Sequence, residues 1–372
     1  MITAKGIIYN FKKSKLLRIV SKDSVYRFSD NCAVVLEKND GIVLARNALT
    51  SNENIRFCQS GIKCLDQDFL ATLKPGDVVS VLSDGTVNVL WKYGEDDNLL
   101  FLTDYCNSRC IMCPQTKRVD INHYYKDALQ LLRLTKDSPR YLCISGGEPT
   151  FLKEEYISVL KELKSRFPSV SLQVLTNGKN FADFEFLKEC VLNSPVDTLY
   201  AIPIYSGNSK LHDGIVGSNG SFNKTVTGIL NLCKLKQNVE IRVVVTRQNY
   251  NDLRNIAYFI YWNMPFVFRI VFMCMETHGA AQDNLDDVWI EPIDYMDNLS
   301  EAVKFLRNRM LYVLIYNYPQ CILPKSLSGY AQDSISSWKK TFLEECNGCS
   351  KRDICSGVFA TSVKQINGIR KI

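Results

Sequence analysis

The chain reads as an α/β protein: a parallel sheet with helices, a β-rich domain before it and a cysteine-rich extension after it. Three observations carry this. Up to residue 96, short apolar runs alternate with turn signals. From Asn98 onward strand-like and helix-like stretches take turns. Several of the later strands are continuously apolar, as strands covered on both faces are. The expected divisions are residues 1–96, 97–309 and 310–372.

In the first division the runs KGIIYN, DSVYRF, NCAVVLEK, GIVLAR, DVVSVLS and TVNVLWK read as strands. They are separated by Asn39-Asp40-Gly41, Lys74-Pro75-Gly76 and Asp84-Gly85, and the last two runs form a hairpin tipped by Asp84-Gly85. In the second division the strands are 99–104, 141–145, 171–176, 198–206, 240–246 and 268–275. Helices fall near 123–136, 153–166, 181–193, 221–235, 251–261 and 294–309. β-α units in a row imply parallel strands joined by right-handed crossovers. A curved partial barrel and a flat doubly wound sheet both satisfy this pattern, and periodicity does not choose between them.

Composition is that of an ordinary globular protein, with 46% hydrophobic and 23% charged residues in 372. The net charge of +6 is mild and no dense Lys/Arg block is present, which speaks against a nucleic-acid partner. The first twenty residues lack the apolar core and cleavage site of a secretory signal. Residues 255–275 are apolar enough to suggest a membrane span, but Asn263, Pro265 and Arg269 argue for a buried helix running into a buried strand. A cytoplasmic location is expected, without membrane association. Fourteen cysteines in such a chain point to metal binding or chemistry rather than disulfides. Of the scattered Cys32, Cys58, Cys64, Cys143, Cys190, Cys233 and Cys274, most lie in apolar patterns and read as core residues, while Cys58 and Cys64 are an alternative pair of ligands.

The most informative stretch is LFLTDYCNSRCIMCPQ, where Cys106, Cys110 and Cys113 follow an apolar strand. Three thiolates at this spacing can hold three irons of a [4Fe–4S] cluster, which ordinarily takes four cysteines. The fourth iron is then open to a ligand, as a catalytic zinc keeps a free position. Parallel β-α folds gather working groups at the carboxyl ends of their strands. Those ends here carry Asp104, the run Ser145-Gly146-Gly147-Glu148-Pro149-Thr150, Thr176-Asn177-Gly178, Ser206, Thr246 with Asn249, and Glu276. Glycines after a strand allow close approach and offer N–H groups to a ligand, and a carboxylate beside them can accept bonds from an ammonium.

The triad followed one strand later by GGEPT resembles the radical S-adenosylmethionine (SAM) enzymes over about residues 98–280. The resemblance implies a partial (β/α)6 barrel. It implies that Cys106, Cys110 and Cys113 bind the cluster, whose open iron takes the methionine end of SAM. Gly146, Gly147, Glu148 and Pro149 would hold that end, and Asn177, Ser206, Thr246 and Asn249 would contact its ribose or carboxylate. Reductive cleavage then gives a 5′-deoxyadenosyl radical that takes hydrogen from a substrate, with electrons from an external donor. The residue before the third cysteine is usually aromatic in that family; here Met112 would supply apolar cover for adenine.

In the extension, Cys346, Cys349 and Cys355 form C-x-x-C-x5-C, with Cys321 upstream. Four such ligands fit tetrahedral zinc. Beside a radical cluster, the resemblance favours a second, auxiliary [4Fe–4S] cluster held by Cys321, Cys346, Cys349 and Cys355. The segments TDYCNSRCIMCPQ, YNYPQCILP, SISSWKKTFLEECNGC and CSGVFATS are similar to the HxsC-type branch of the His-Xaa-Ser system maturases. That likeness implies a ribosomal precursor peptide as substrate and a second radical SAM protein as partner. A protein side chain, as in sulfatase maturation, or a small molecule are alternative targets. A non-enzymatic iron–sulfur sensor is a third reading, against which GGEPT argues. The only histidines are His123, His212 and His278, so acid–base or zinc-hydrolase chemistry has little support. His123 reads as surface, His212 as loop structure or a substrate contact, and His278 lies on the active rim.

Overall fold

A computed structural model of the chain describes residues 2–9, 14–21, 24, 31–36, 41–44, 61–63, 65–96, 98–115 and 121–372. Cys58, Cys64, most of the DSVYRF run and the turn at Asn39-Asp40 lie outside the described residues.

The first sheet contains β1 (Thr3–Lys5), β2 (Ile7–Tyr9), β3 (Lys15–Ile19), β4 (Cys32–Leu36), β5 (Gly41–Leu44), β6 (Gly61–Lys63), β7 (Val78–Val81) and β8 (Thr86–Trp91). Its order is β1-β8-β7-β3-β4-β5-β6-β2. Because β1 and β2 are one stretch bent at Gly6, they join the two ends and the sheet closes on itself. Any Cβ at Gly6 would stand 2.5 Å from Ile62 and from the Lys63 carbonyl, so glycine is what permits the corner. Along β8 alternate residues are buried: Val87 and Val89 enter this domain's own core with Leu17, Ile62 and Val79. Trp91 instead joins the core of the larger domain, where its Nε1–H donates to Asp137 (3.1 Å). The Asp84-Gly85 hairpin forms as expected, with Gly85 at φ +89° and Thr86 N–H bonded to Asp84. Strands β3 and β6 and the helix α1 (Gln67–Thr72) were not expected from the sequence.

The second sheet has eight strands: β9 (Leu99–Phe101), β10 (Tyr141–Ser145), β11 (Ser171–Leu175), β12 (Thr198–Pro203), β13 (Asn238–Val244), β14 (Arg269–Met273), β15 (Val313–Tyr316) and β16 (Ala331–Gln332). Every neighbouring pair is parallel, and spatial order follows chain order without reversal. Right-handed crossovers advancing in one direction put every helix on the same face, which is the logic of a barrel and not of a doubly wound sheet. Alternation along the strands agrees. Ile144, Val174, Ile202, Ile241 and Phe272 join one core with residues of α2 (Tyr125–Leu134), α3 (Glu154–Arg166), α4 (Phe184–Asn193), α6 (Ser221–Lys234), α7 (Leu253–Asn263) and α10 (Met296–Arg307). The intervening residues, such as Cys143, Gln173, Arg242 and Leu314, face the other side and are absent from that core. The mouth is drawn together as a curled sheet requires: Ala280 N–H, after β14, donates to the Cys113 carbonyl after β9 (2.9 Å). The sheet is thus a partial barrel, and β15 and β16 carry it past residue 309, the expected end of the core.

The apolar stretch 255–275 divides into α7 and β14, and no helix among the described residues is long and apolar enough to cross a membrane.

Candidate active site

After β9 the chain turns across the carboxyl edge of the sheet as the loop 102–115. Two neighbouring loops grip this segment by its backbone. Arg109 N–H donates to the Val216 carbonyl and Ile111 N–H to Ile215 (2.9 and 3.0 Å), from the helix α5 (Ser209–Val216). From the helix α8 (Ala280–Asp283) and just beyond it, Ala280 N–H and the Asn284 side chain bond the Cys113 and Ile111 carbonyls. Glycine makes both approaches possible. A Cβ at Gly217 would lie 2.5 Å from the Arg109 carbonyl, and one at Gly279 would lie 2.5 Å from the Gln115 carbonyl; both have positive φ. Met112 is buried against Tyr205, Ile215 and Met275, so it anchors the loop from below. The apolar cover for adenine expected of Met112 is therefore not offered by this side chain.

The Gly146-Gly147-Glu148 run lies directly against the same loop. Gly147 N–H donates to the Thr103 carbonyl (2.8 Å) and Glu148 N–H to the Tyr105 carbonyl (2.7 Å), while Gln115 Nε2–H donates to the Gly146 carbonyl (2.5 Å). A Cβ at Gly147 would stand 2.2 Å from the Tyr105 carbonyl. The glycines thus serve packing between two loops, and those N–H groups are engaged within the protein, not free for a ligand. The Gly147 carbonyl has no hydrogen bond among the described residues and remains available to an ammonium.

Glu148 is wholly buried and its carboxylate accepts four bonds: from Thr150 N–H and Oγ1 (3.1 and 2.6 Å), Thr176 Oγ1 (2.7 Å) and Asn177 N–H (2.7 Å). Burial pushes its pKa up; the bonds from Thr150, Asn177 and Thr176 pull it down. It ties the loop after β10 to the loop after β11 and presents no surface to an ammonium. Pro149 is buried at the start of the following helical turn.

The Asn177 side chain donates to Asn107 Oδ1 (2.7 Å), and so braces the turn between Cys106 and Cys110. Ser206, Thr246 and Asn249 are wholly buried. Ser206 donates to Asp252 (2.7 Å), and Asn249 accepts from Thr246 N–H and donates to the Tyr205 and Val244 carbonyls. In place of the contacts expected from their strand-end positions, these three side chains brace the rim. A strand's end fixes height in the barrel, not whether the next side chain points in or out.

The three cysteines share the loop and are half-buried. Burial, with Glu148 and the neighbouring thiols adding, pushes Cys106 up to about 11 and Cys110 to about 12, and burial raises Cys113. Thiols so placed ionise only when a cation compensates them, and iron is such a cation. The backbone N–H groups of Ser108 and Gln115 act against this rise at Cys106 and Cys113. The Ser108 hydroxyl is buried without a partner among the described residues, as a donor awaiting a sulfide or another acceptor would be. Among the described residues no three His, Cys, Asp or Glu side chains converge as one ion requires. A four-iron cluster does not ask for that, since each thiolate takes its own iron. The residues fit the cluster.

A cavity of about 360 Å³ opens beside this loop, lined by Gln115, Asp104, Glu276, His278, Trp338 and Lys339 among others. The tail supplies one of its walls. Lys339 pairs with Glu276 (2.9 and 3.1 Å), and Thr277 bonds to Thr361 and Ser362. In the tail Cys321, Cys346, Cys349 and Cys355 line one cavity. Cys355 sulfur accepts from Gln320 and Gly357 N–H (3.4 Å each), and Cys349 is lowered by N–H groups of Ile372 and Lys351. Burial raises Cys321, against a bond from Arg370 N–H. None of the described cysteines is in a disulfide; Cys32, Cys190 and Cys274 are buried, whereas Cys143 and Cys233 are only half-buried.

Of the histidines, His278 is exposed at the cavity, and His123 is exposed and bonded to Thr103 Oγ1 (2.8 Å). His212 is buried between the rings of Tyr205 and Phe222, which removes it from substrate; burial lowers its pKa to about 4. Native His212 therefore stays neutral while the unfolded chain takes a proton, and stability falls as pH drops from 6.5 towards 4. The expected size is roughly 3 kcal/mol. Urea unfolding at pH 7.5 and at pH 4.5 should show a smaller acid loss in His212→Phe than in wild type; parallel losses would refute this assignment.

Residues 100–260 match the family model described as "Radical SAM superfamily". This segment contains the cysteine loop and the Gly146–Glu148 run, and a radical SAM domain implies a [4Fe–4S] cluster and SAM. No curated protein matches the chain in sequence. Among solved structures, the chain is similar to Streptococcus suis SuiB bound to S-adenosylmethionine, at 16% identity and TM-score 0.48, covering 61% of this chain and 50% of that one. It is similar to anSMEcpe with bound AdoMet, at 16% identity and TM-score 0.46, covering 59% of this chain and 61% of that one. It is also similar to the coproporphyrinogen III oxidase HemN from Escherichia coli, a radical SAM enzyme, at 16% identity and TM-score 0.43, covering 57% and 52%. The match thus spans about half the length of SuiB.

Proposed function

We propose that this chain is a radical SAM maturase that modifies a ribosomally made precursor peptide of the His-Xaa-Ser type. The observation that carries the radical SAM part is the interlock of the cysteine loop with Gly146–Glu148, two segments joined by the Thr103, Tyr105 and Gly146 carbonyls. Cys106, Cys110 and Cys113 would hold the cluster, and the Gly147 carbonyl would accept the methionine ammonium. When bound, the cluster and SAM together supply the electron and the 5′-deoxyadenosyl radical. The protein's own part is to hold the loop rigid from three sides through Val216, Ala280 and Asn177, and to enclose the reacting space.

Two features support a peptide substrate. The cysteine-rich tail forms a wall of the cavity through Lys339 and Trp338, and Trp338 presents an exposed aromatic face there. A second group of four cysteines lines one cavity in the same tail, with the Gln320 and Gly357 N–H groups bonded to Cys355, as a thiolate holding an auxiliary cluster would use. The cytoplasm, an external electron donor and a second radical SAM protein complete the proposed setting.

Anaerobic reconstitution tests both halves. Wild type should bind about eight irons per chain and form 5′-deoxyadenosine from SAM with dithionite. Cys346→Ala with Cys355→Ala should lose about half of the iron while SAM cleavage without substrate persists. Unchanged iron in that double variant would reject the auxiliary cluster. Wild type that fills its first cluster but forms no 5′-deoxyadenosine would reject the enzyme.

A further inference from the structure

We propose that Lys179 is a positioning residue for the cluster: it latches the turn between Cys106 and Cys110 and supplies the positive charge that raises the cluster's reduction potential. This rests on the reading that the three cysteines hold a [4Fe–4S] cluster.

Lys179 opens the short helical turn Lys179–Ala182 after β11, directly behind Thr176-Asn177-Gly178. Lysine in such a place ordinarily reaches into water, yet here the residue is only 7% exposed. Its ammonium crosses to the cysteine loop, where Nζ donates to the Asn107 carbonyl (2.5 Å) and to Ser218 Oγ (3.2 Å). Asn107 is also bonded through its side chain to Asn177, so the turn between two cluster cysteines is held at both ends of one residue. Ser218 stands just past α5, whose last carbonyls take the Arg109 and Ile111 N–H groups. Lys179 thus links the elements that grip the loop.

A neutral donor could make those two bonds. A buried charge is expensive unless an opposite charge faces it. Among the described residues no carboxylate pairs with this ammonium, because Glu148 is engaged with Thr150, Thr176 and Asn177. The negative groups in electrostatic reach of Lys179 are Cys106, Glu148 and Cys110, and Lys224 is the like charge that faces it. The thiolate-bound cluster would join Glu148 as the negative charge facing this ammonium. One-electron reduction adds negative charge there, and a fixed cation beside it favours the reduced form; net local charge is a recognised lever on cluster potential.

The test compares Lys179→Met, Lys179→Gln and Lys179→Arg with wild type, each reconstituted anaerobically. Iron per chain is counted, and a redox titration followed by electron paramagnetic resonance reads the signal that changes when SAM is added. Lys179→Met and Lys179→Gln should titrate at a more negative potential, with dithionite-driven SAM cleavage slower by about tenfold or more. Lys179→Arg should stay near wild type in potential. If Lys179→Met does not fill its cluster, Lys179→Gln, which keeps a donor without the charge, decides the matter. A filled cluster at wild-type potential in Lys179→Gln would overturn the proposal, as would Lys179→Arg shifting as far as Lys179→Gln. Wild type without any cluster at these cysteines would overturn both this proposal and the function it rests on.

Discussion

Alanine at any one of Cys106, Cys110 and Cys113 is expected to abolish reductive SAM cleavage and, in the triple variant, to remove about half of the iron. The loss should be total because each thiolate takes a separate iron, so no remaining ligand substitutes. The fold should survive. The loop is held by Val216, Ile215, Ala280 and Asn284 through backbone groups that the substitution leaves in place. The control is Cys190→Ala, a wholly buried cysteine in the helical core. It should leave iron and cleavage unchanged and cost about 1 kcal/mol of stability, as loss of a small core group does. Iron content, 5′-deoxyadenosine yield and thermal midpoint measured on wild type, the three single variants, the triple variant and Cys190→Ala check this. Residual cleavage in the triple variant would show that the radical chemistry has another source.

Glu148→Gln is expected to be the most damaging isosteric change outside the cysteines. All four contacts of the native carboxylate are donors: Thr150 twice, Thr176 and Asn177. Glutamine has one carbonyl oxygen and one NH2 group, so either orientation turns an N–H towards another donor. At a fully buried site an unmade hydrogen bond costs the desolvation of its partner as well, giving roughly 2–4 kcal/mol here. The damage should also reach the chemistry. Glu148 ties the loop after β10 to the one after β11, and Asn177 in turn braces Asn107 between the first two cysteines. Lower stability in urea together with lower iron occupancy is the expected pair of results. Full stability with wild-type iron would show that the carboxylate is not the tie described here.

The candidate site was legible to different depths. The cysteine triad is a local pattern, and local spacing suffices to propose it as a ligand set. GGEPT was legible as a motif for a reason that needed revision. Its glycines are required because Tyr105 and Thr103 press on them, and its glutamate is a scaffold residue. Ser206, Thr246 and Asn249 were legible as strand-end residues, while their burial and their bonds to Asp252, Tyr205 and Val244 are visible only in the fold. Lys179 was missed because a lysine after an Asn-Gly turn looks like surface; only the approach of the cysteine loop buries it. In the fold, β9 to β14 were legible from their apolar runs. β3, β6, β15 and β16 are short or lie between weak signals, and pairing with neighbours makes them strands.

The amino-acid sequence by itself determined which cysteines stand at ligand spacing, the succession of strands and helices, and the change of character near residue 98. These follow from periodicities of two and 3.6 residues and from ligand spacing, all properties of neighbours along the chain. Curvature was decided only in three dimensions. A sheet closes or opens according to packing summed over distant segments, and the Asn284–Ile111 bond joins residues 173 apart. That closure brings the loops after β9, β10, β11 and β14 to one mouth, and there three cysteines become a site.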